Sequence, residues 1–275
     1  MARGRASCPP ANFTAREQTG RVENTFVKRR ADAPAGLFAA EAAGLAWLRV
    51  PGGACVVRVI AHDETSITLE RVRTVAPSQP AAEAFGAALA VTHDAGAPGF
   101  GCPPQGFMGQ NFIADLPMPT ITPNTPDTSW GHFYAEQRLL PYARMGASTL
   151  GADGVRVIGK LADRLESGAF DDGAPPARLH GDLWAGNVLF GEQGVMLIDP
   201  SAHGGHRLTD LAMLALFGAP HLSAILAAYE EASVWLPDDW RALIGLHQVY
   251  PLLVHTVLFG GGYAHQAVAT ARAFL

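Results

Sequence analysis

The chain has 275 residues, of which 48% are apolar and 16% charged, with a formal charge of −5. That length and apolar fraction allow a sizeable core and two lobes, while the lack of any Lys/Arg block removes a compositional case for nucleic-acid binding. Three widely spaced cysteines, Cys8, Cys55 and Cys102, form neither a disulfide framework nor a paired-cysteine zinc site, which points to a reducing compartment.

The N-terminus carries arginines but no apolar run of a secretory signal, and residues 1–20 show no structural pattern. Residues 22–30, VENTFVKRR, are predicted as a strand with Lys28 near its end. Ala33-Pro34 then opens a helix, because a first-turn proline gives up an N–H that the helix does not use. Phe38, Leu45 and Leu48 share one face of that helix, and helical spacing puts Glu41 on the same face. A carboxylate there calls for a cation, since an unpaired buried charge is costly. Lys28 is the candidate; the alternative is a solvated Glu41, with Lys28 one of three surface cations beside Arg29 and Arg30. Pro51-Gly52-Gly53 stops the helix. Residues 55–61 and 66–72 are β-rich around a turn at Asp63-Glu64, so a small antiparallel sheet with one helix is expected, with residues 68–71 leading out of it.

Residues 81–95 read as a helix with Phe85, Ala88, Leu89 and Thr92 in step, and His93 near its end as a packed or capping residue. Residues 96–128 hold seven prolines from Pro98 to Pro126, so no regular element is expected. Phe100, Phe107 and Phe112 argue that this long segment is a packed loop. A helix from Asp127 or Ser129 is predicted, with Pro141 kinking or ending it, then another over 153–167 closed by Gly168. Residues 201–207 form a glycine-rich loop. Residues 208–217 form a helix with Asp210 on the apolar face of Met213, Leu214 and Phe217. Helices near 221–233, 238–249, 251–259 and 263–274 complete the chain, the last two split by Gly260-Gly261-Gly262. The apolar run 251–259 is about half a membrane span, so a soluble, cytoplasmic chain is expected.

The centre of this order is His180-Gly181-Asp182-Leu183-Trp184-Ala185-Gly186-Asn187, followed by the strand that ends at Ile198-Asp199-Pro200. An Asp five residues before an Asn, with a second Asp closing the next strand, places three polar groups on adjacent strand ends. Phosphoryl transfer needs an aligned hydroxyl, an acceptor for its proton and cations across the phosphates. Asp182 fits the acceptor. Asn187 and Asp199 offer oxygen ligands to Mg²⁺, a hard cation that takes few protein ligands. Lys28 would hold the nucleotide phosphates and Glu41 would hold Lys28. A plain polar turn is the competing reading for Asp182 and Asn187 alone, since Asp, Asn and Gly are turn residues. His180 is read as a core histidine that donates to a backbone carbonyl and orients the loop. Residues 154–160 have a P-loop-like skeleton, but Leu161 brings no hydroxyl and the pattern is helical. His203 and His206 lack the further ligand pair of a zinc site.

HGDLWAGN at 180–187, IDP at 198–200 and GHRLTDLAMLALFG at 205–218 resemble the fructosamine kinase (ketosamine-3-kinase) family, within the aminoglycoside-phosphotransferase-like kinases. FVK at 26–28, FAAEAAGLAWL at 38–48, SWGHFYAEQRLLP at 129–141 and YPLLVHTVLFGGGY at 250–263 are similar too. The resemblance implies an α+β, protein-kinase-like bilobal fold, with a small β-rich lobe over residues 1–72 and a mainly helical lobe over 73–275. It implies ATP- and Mg²⁺-dependent phosphorylation of the sugar 3-hydroxyl of a small glycated amine or a glycated protein lysine, leading to deglycation. An aminoglycoside or other amino-alcohol acceptor, or a nucleotide-binding pseudokinase, are the alternatives. By the same resemblance Asp182 is catalytic, Asn187 and Asp199 bind metal, and Lys28 and Glu41 form the lobe-spanning pair. Asp210 braces the catalytic loop, and Glu70, Arg71 and Val72 form the hinge at adenine. His206 and Arg207 are structural or substrate-facing, and Trp184 and Trp130 wall the sugar or pack in the core. The chain departs from the pattern at residues 1–21, which hold no Gly-x-Gly, so the phosphate-covering hairpin is expected to be short or lost.

Overall fold

Strand β1 (Thr25–Arg29), helix α1 (Leu37–Trp47), β2 (Cys55–Val56), β3 (Val59–His62) and β4 (Ser66–Glu70) open the computed structural model, which describes residues 24–121 and 129–275. β1, β4 and β3 form an antiparallel sheet in that order, with Lys28 opposite Ile67. α1 buries Phe38, Leu45 and Leu48. The expected single strand over 55–61 is two strands with different partners. β2 leaves the small sheet and runs parallel to β9 (Gly194–Leu197), with Cys55 opposite Met196. The partner lies far along the chain, so local pattern could not separate the two strands.

Helix α2 (Gln79–Asp94) follows and packs on the later helix α7 (Leu222–Ala232). The proline-rich segment does contain regular structure: β5 (Asn111–Ile113) and β6 (Leu116–Met118) form a hairpin. Pro117 is tolerated there because the hairpin has only two strands, so each leaves one edge without a ladder partner. Asp127 lies outside the described residues, and Ser129 caps α3 (Trp130–Phe133) by accepting from His132 N at 3.2 Å. A π-helical turn over Tyr134–Leu139 leads straight into α4 (Leu140–Met145), so Pro141 does not end the run. The Gln137 carbonyl, whose i+4 residue is Pro141, accepts from Arg138 Nη1 at 2.9 Å instead.

α5 (Ala147–Glu166) contains residues 154–161 inside a regular helix. Then come β7 (Ala177–Leu179), a short 3₁₀ turn at Ala185–Asn187, β8 (Val188–Gly191), β9 and β10 (His203–Gly205). The chain closes with α6 (Leu208–Phe217), α7 (Leu222–Ala232), α8 (Trp240–Phe259) and α9 (Gly262–Arg272). The break expected near residue 250 is absent: α8 runs through Pro251. A proline in a helix strands the carbonyl four residues back. Here Tyr134 Oη donates at 3.1 Å to the carbonyls of Leu246 and His247 and accepts from Tyr250 N at 3.2 Å. α8 is the one helix among the described residues long and apolar enough to cross a bilayer, and half of that window is buried inside the fold.

One apolar cluster joins α1, the small sheet, the β8–β9 ribbon, α2 and α7, through Leu45, Leu69, Leu89, Leu197 and Tyr229. A second lies among α3, α4, α5, α8 and α9, around Tyr134, Leu161 and Leu253. The loop from β7 to β8 and the end of β9 meet α1 around one shared cavity.

Candidate active site

The loop after β7 is held from behind. Asp210, on the first turn of α6 and 1% exposed, accepts from the backbone N–H of His180 at 2.7 Å and of Gly181 at 2.9 Å. His93 Nε2 donates to the same carboxylate at 3.2 Å, and Tyr229 Oη donates to His93 Nδ1 at 2.7 Å. Burial alone would raise the Asp210 pKa, but the hydrogen bonds from His93 and from Gly181 N hold it below the ordinary carboxylate value. His180 donates from Nε2 to Ile198 O at 2.9 Å and accepts at Nδ1 from Asp182 N at 3.3 Å, which ties the loop to the end of β9. Gly181 has φ +81°, and a Cβ there would run into the Ser201 carbonyl, so the loop needs glycine at this point.

So braced, the loop presents Asp182 to a cavity of about 210 Å³ between α1 and the ribbon. Asn187 Nδ2 donates to the Asp182 carbonyl at 2.8 Å and to its carboxylate at 3.0 Å, fixing the side chain across the 3₁₀ turn. Lys28 Nζ enters from β1 and lies 3.0 Å from Glu41 Oε2 and 3.2 Å from Asp199 Oδ2. Lys28, Glu41, Asp182, Asn187 and Asp199 therefore line one space. Burial alone would lower the Lys28 pKa, but the two carboxylates more than reverse this, so Lys28 is held charged. Burial pushes Glu41 up to about 7 against the pull of Lys28, and leaves its Oε1 without a partner. Burial also raises Asp182 to about 7, only partly opposed by the Asn187 hydrogen bond. Asp199 adopts φ +51°, a backbone region open to Asp at some cost, where its carboxylate meets Lys28.

The remaining candidates divide. Trp184 lines the cavity and is 42% exposed. Trp130, His206 and Arg207 do not line it. Trp130 stacks on His247 at 4.6 Å, and His206, 2% exposed, donates from Nε2 to Asp172 at 3.1 Å while Nδ1 accepts from Leu208 N. Arg207 is buried against Asp94. Glu70, Arg71 and Val72 do not line the cavity either: Glu70 pairs with Arg58 at 3.2 Å and Arg71 Nε donates to Thr25 O at 3.1 Å. They lead to Val75, whose N–H donates to Phe190 O at 2.8 Å and joins the small sheet to the ribbon. The shortened hairpin expected in residues 1–21 lies outside the described residues.

The sequence reading missed the hairpin. Phe112 and Ala114 line the cavity, Asn111 Nδ2 donates to Ala202 O at 2.9 Å, and Asp115 at the tip pairs with Arg30 beyond β1. No local signal marks this, because strands of three residues carry no readable period. His93 and Tyr229 were missed as braces because their partners are remote in sequence: Asp210 is 117 residues from His93, and Tyr229 is 136 from it.

A Lys–Glu pair on a small sheet-and-helix unit, facing Asp182, Asn187 and Asp199 on a larger helical one, defines a protein-kinase-like protein. A sequence model of the fructosamine kinase family matches residues 10–275, and the chain belongs to that family. It is 33% identical to a probable ketoamine kinase of Thermus thermophilus over 243 residues, which is 88% of this chain and 84% of that one. A probable ketoamine kinase of Synechocystis is also 33% identical, over 84% of this chain and 76% of its own length. Among solved structures, a candidate fructosamine-3-kinase from Thermobifida fusca has a TM-score of 0.81 and 48% identity, covering 91% of this chain and 85% of that one. The aminoglycoside phosphotransferase APH(4)-Ia, at 18% identity and a TM-score of 0.55 over 91% of this chain and 85% of its own, shares the fold.

Proposed function

We propose that the chain transfers the γ-phosphoryl group of ATP to the 3-hydroxyl of the sugar of a ketosamine. What carries this reading is the meeting of Lys28, Asp182, Asn187 and Asp199 in one cavity. The acceptor hydroxyl sits against Asp182, which takes its proton as the oxygen bonds to phosphorus and the bond to the leaving ADP oxygen breaks. A pKa near 7 suits a group that must accept a proton at neutral pH. Lys28, held charged by Glu41 and Asp199, neutralises the phosphates.

Two oxygen donors remain for a cation: the Asp199 carboxylate and the side-chain oxygen of Asn187, whose nitrogen is already committed to Asp182. Among the described residues no group of three or more His, Cys, Asp or Glu could hold a metal. A pair of hard oxygen donors beside a phosphate site fits Mg²⁺, which keeps water and phosphate ligands, better than it fits zinc. When bound, the ion supplies charge neutralisation across the phosphates. The carboxylates of Asp182 and Asp199 favour a protonated secondary amine in the acceptor, as ketosamines carry. In this reading the resulting 3-phosphate breaks down and frees the amine, so the outcome is deglycation, and Trp184 walls the acceptor.

The test is ADP release over fructosyl-amines, ribulosyl-amines and aminoglycosides, with Asp182→Ala as control. Turnover with a ketosamine, lost in Asp182→Ala while nucleotide still binds, is expected. Release confined to aminoglycosides, or none above the Asp182→Ala background, overturns the proposal.

A further inference from the structure

Behind α1 lies a second cavity of about 470 Å³, separate from the catalytic one. Ala43, Ala46, Trp47, Arg49, Phe107 and Arg178 are among its lining residues. A helix turns about 100° per residue, so Ala43 and Ala46 lie roughly 160° and 140° around α1 from Glu41. The face opposite the catalytic carboxylate is therefore built of alanines, and their small side chains leave the space. Trp47 and Phe107 give it aromatic surface.

The charge is the distinctive feature. The chain carries a formal −5, yet two guanidinium groups and, among the described residues, no carboxylate line this cavity. Arg178 is fixed in place. Its Nη1 donates to Trp47 O at 2.7 Å and its Nε to Gly96 O at 3.2 Å, and the guanidinium lies 4.7 Å over the Trp47 ring. Two of its five N–H groups are spent this way. Arg49 reaches Val56 O only at 3.5 Å, the limit of a hydrogen bond. A guanidinium already immobilised loses little freedom on meeting a phosphate or carboxylate, which its planar donors match in pairs. The volume falls in the range of about 300–1,000 Å³ usual for small-molecule sites.

We propose that this cavity is a second ligand site, for a small organic anion: a phosphate or carboxylate on a flat apolar body. It touches two parts of the catalytic apparatus at once. α1 carries Glu41, and Arg178 precedes Asp182 by four residues on the strand that leads into the loop.

Calorimetric titration of the full chain with phenyl phosphate, benzoate and the uncharged benzyl alcohol tests this. Saturable binding of phenyl phosphate or benzoate, at least tenfold tighter than benzyl alcohol, is expected. Ala46→Phe fills the cavity from an exposed helix position, so folding is not at stake. It should weaken anion binding at least tenfold, and Arg49→Gln should weaken it severalfold and flatten its salt dependence. Affinity for phenyl phosphate over benzoate assigns the site to phosphates, and the reverse to carboxylates. No saturable binding, equal binding of benzyl alcohol, or binding that survives Ala46→Phe overturns the proposal. None of these readouts depends on turnover.

Discussion

Replacing Asp210 by Asn isolates what the carboxylate does for the catalytic loop, because shape is kept and charge is lost. Three donors converge on Asp210: His180 N at 2.7 Å, Gly181 N at 2.9 Å and His93 Nε2 at 3.2 Å. The amide offers one acceptor oxygen and one NH₂. Whichever way it turns, the NH₂ faces at least one of the two backbone N–H groups, and His93 alone can adapt, by exchanging tautomers. One buried donor left without an acceptor costs about 1–3 kcal/mol. Hydrogen bonds to a charged group are worth roughly 1 kcal/mol more each than neutral ones, and the two that survive lose this increment. The sum is about 3–5 kcal/mol, a large part of the roughly 5–15 kcal/mol of a typical domain. Urea unfolding followed by tryptophan fluorescence should show that loss, with turnover reduced well beyond the fraction unfolded. A loss within about 0.5 kcal/mol, the range of an inert surface substitution, would mean that Asp210 does not brace the loop.

Three other outcomes follow from the geometry. Asp182 has a folded pKa of about 7, above the ordinary carboxylate value of 3.8, so the folded state holds the extra proton between those values. Stability should therefore fall as pH rises from 4 to 7, Asp182→Asn should reduce that slope, and kcat/KM should climb through about pH 7 as the base ionises; a flat profile contradicts the assignment. Tyr134→Phe removes the hydroxyl that serves the carbonyl stranded by Pro251, and should cost about 1–3 kcal/mol in chemical denaturation; no measurable change would show that α8 does not need it. Gly86→Ala puts a methyl into the Ile225 carbonyl where α2 meets α7; a drop of several degrees in Tm is expected, and an unchanged Tm would show that the helices move apart freely.

Much of the site was legible because its residues sit on local patterns. Glu41 on an apolar helix face calls for a cation, which makes Lys28 near the end of a short strand a candidate beside the solvated alternative, and the family resemblance is what selects the pair. The Leu208–Phe217 helix has the predicted bounds because Gly218 ends it. The parts that were not legible are held by distant partners. Pro251 and Pro141 look like helix breaks until Tyr134 and Arg138 supply the missing bonds. The hairpin at residues 111–118 hides among prolines, and what fixes it, Asn111 on Ala202 O, spans 91 residues. Trp130 and His206 carry the aromatic and polar chemistry of a binding wall, yet they are sealed inside the helical core. Residue type cannot tell these apart from Trp184, which lines the cavity.

The departure of β2 from the small sheet has a mechanical consequence. Cys55 and Val56 run beside β9, Val57 N donates to Leu197 O at 3.0 Å, and Arg178 holds the last carbonyl of α1 at 2.7 Å. The helix with Glu41 is thus fastened to the same frame that carries Asp199, two residues beyond Leu197. Lys28 comes from β1, which reaches that frame by another route, through the Arg30–Asp115 pair and the hairpin that Asn111 holds on Ala202 O. The spacing of the Glu41 and Asp199 carboxylates is thereby set by main-chain bonds, and Lys28 bridges the two at 3.0 and 3.2 Å.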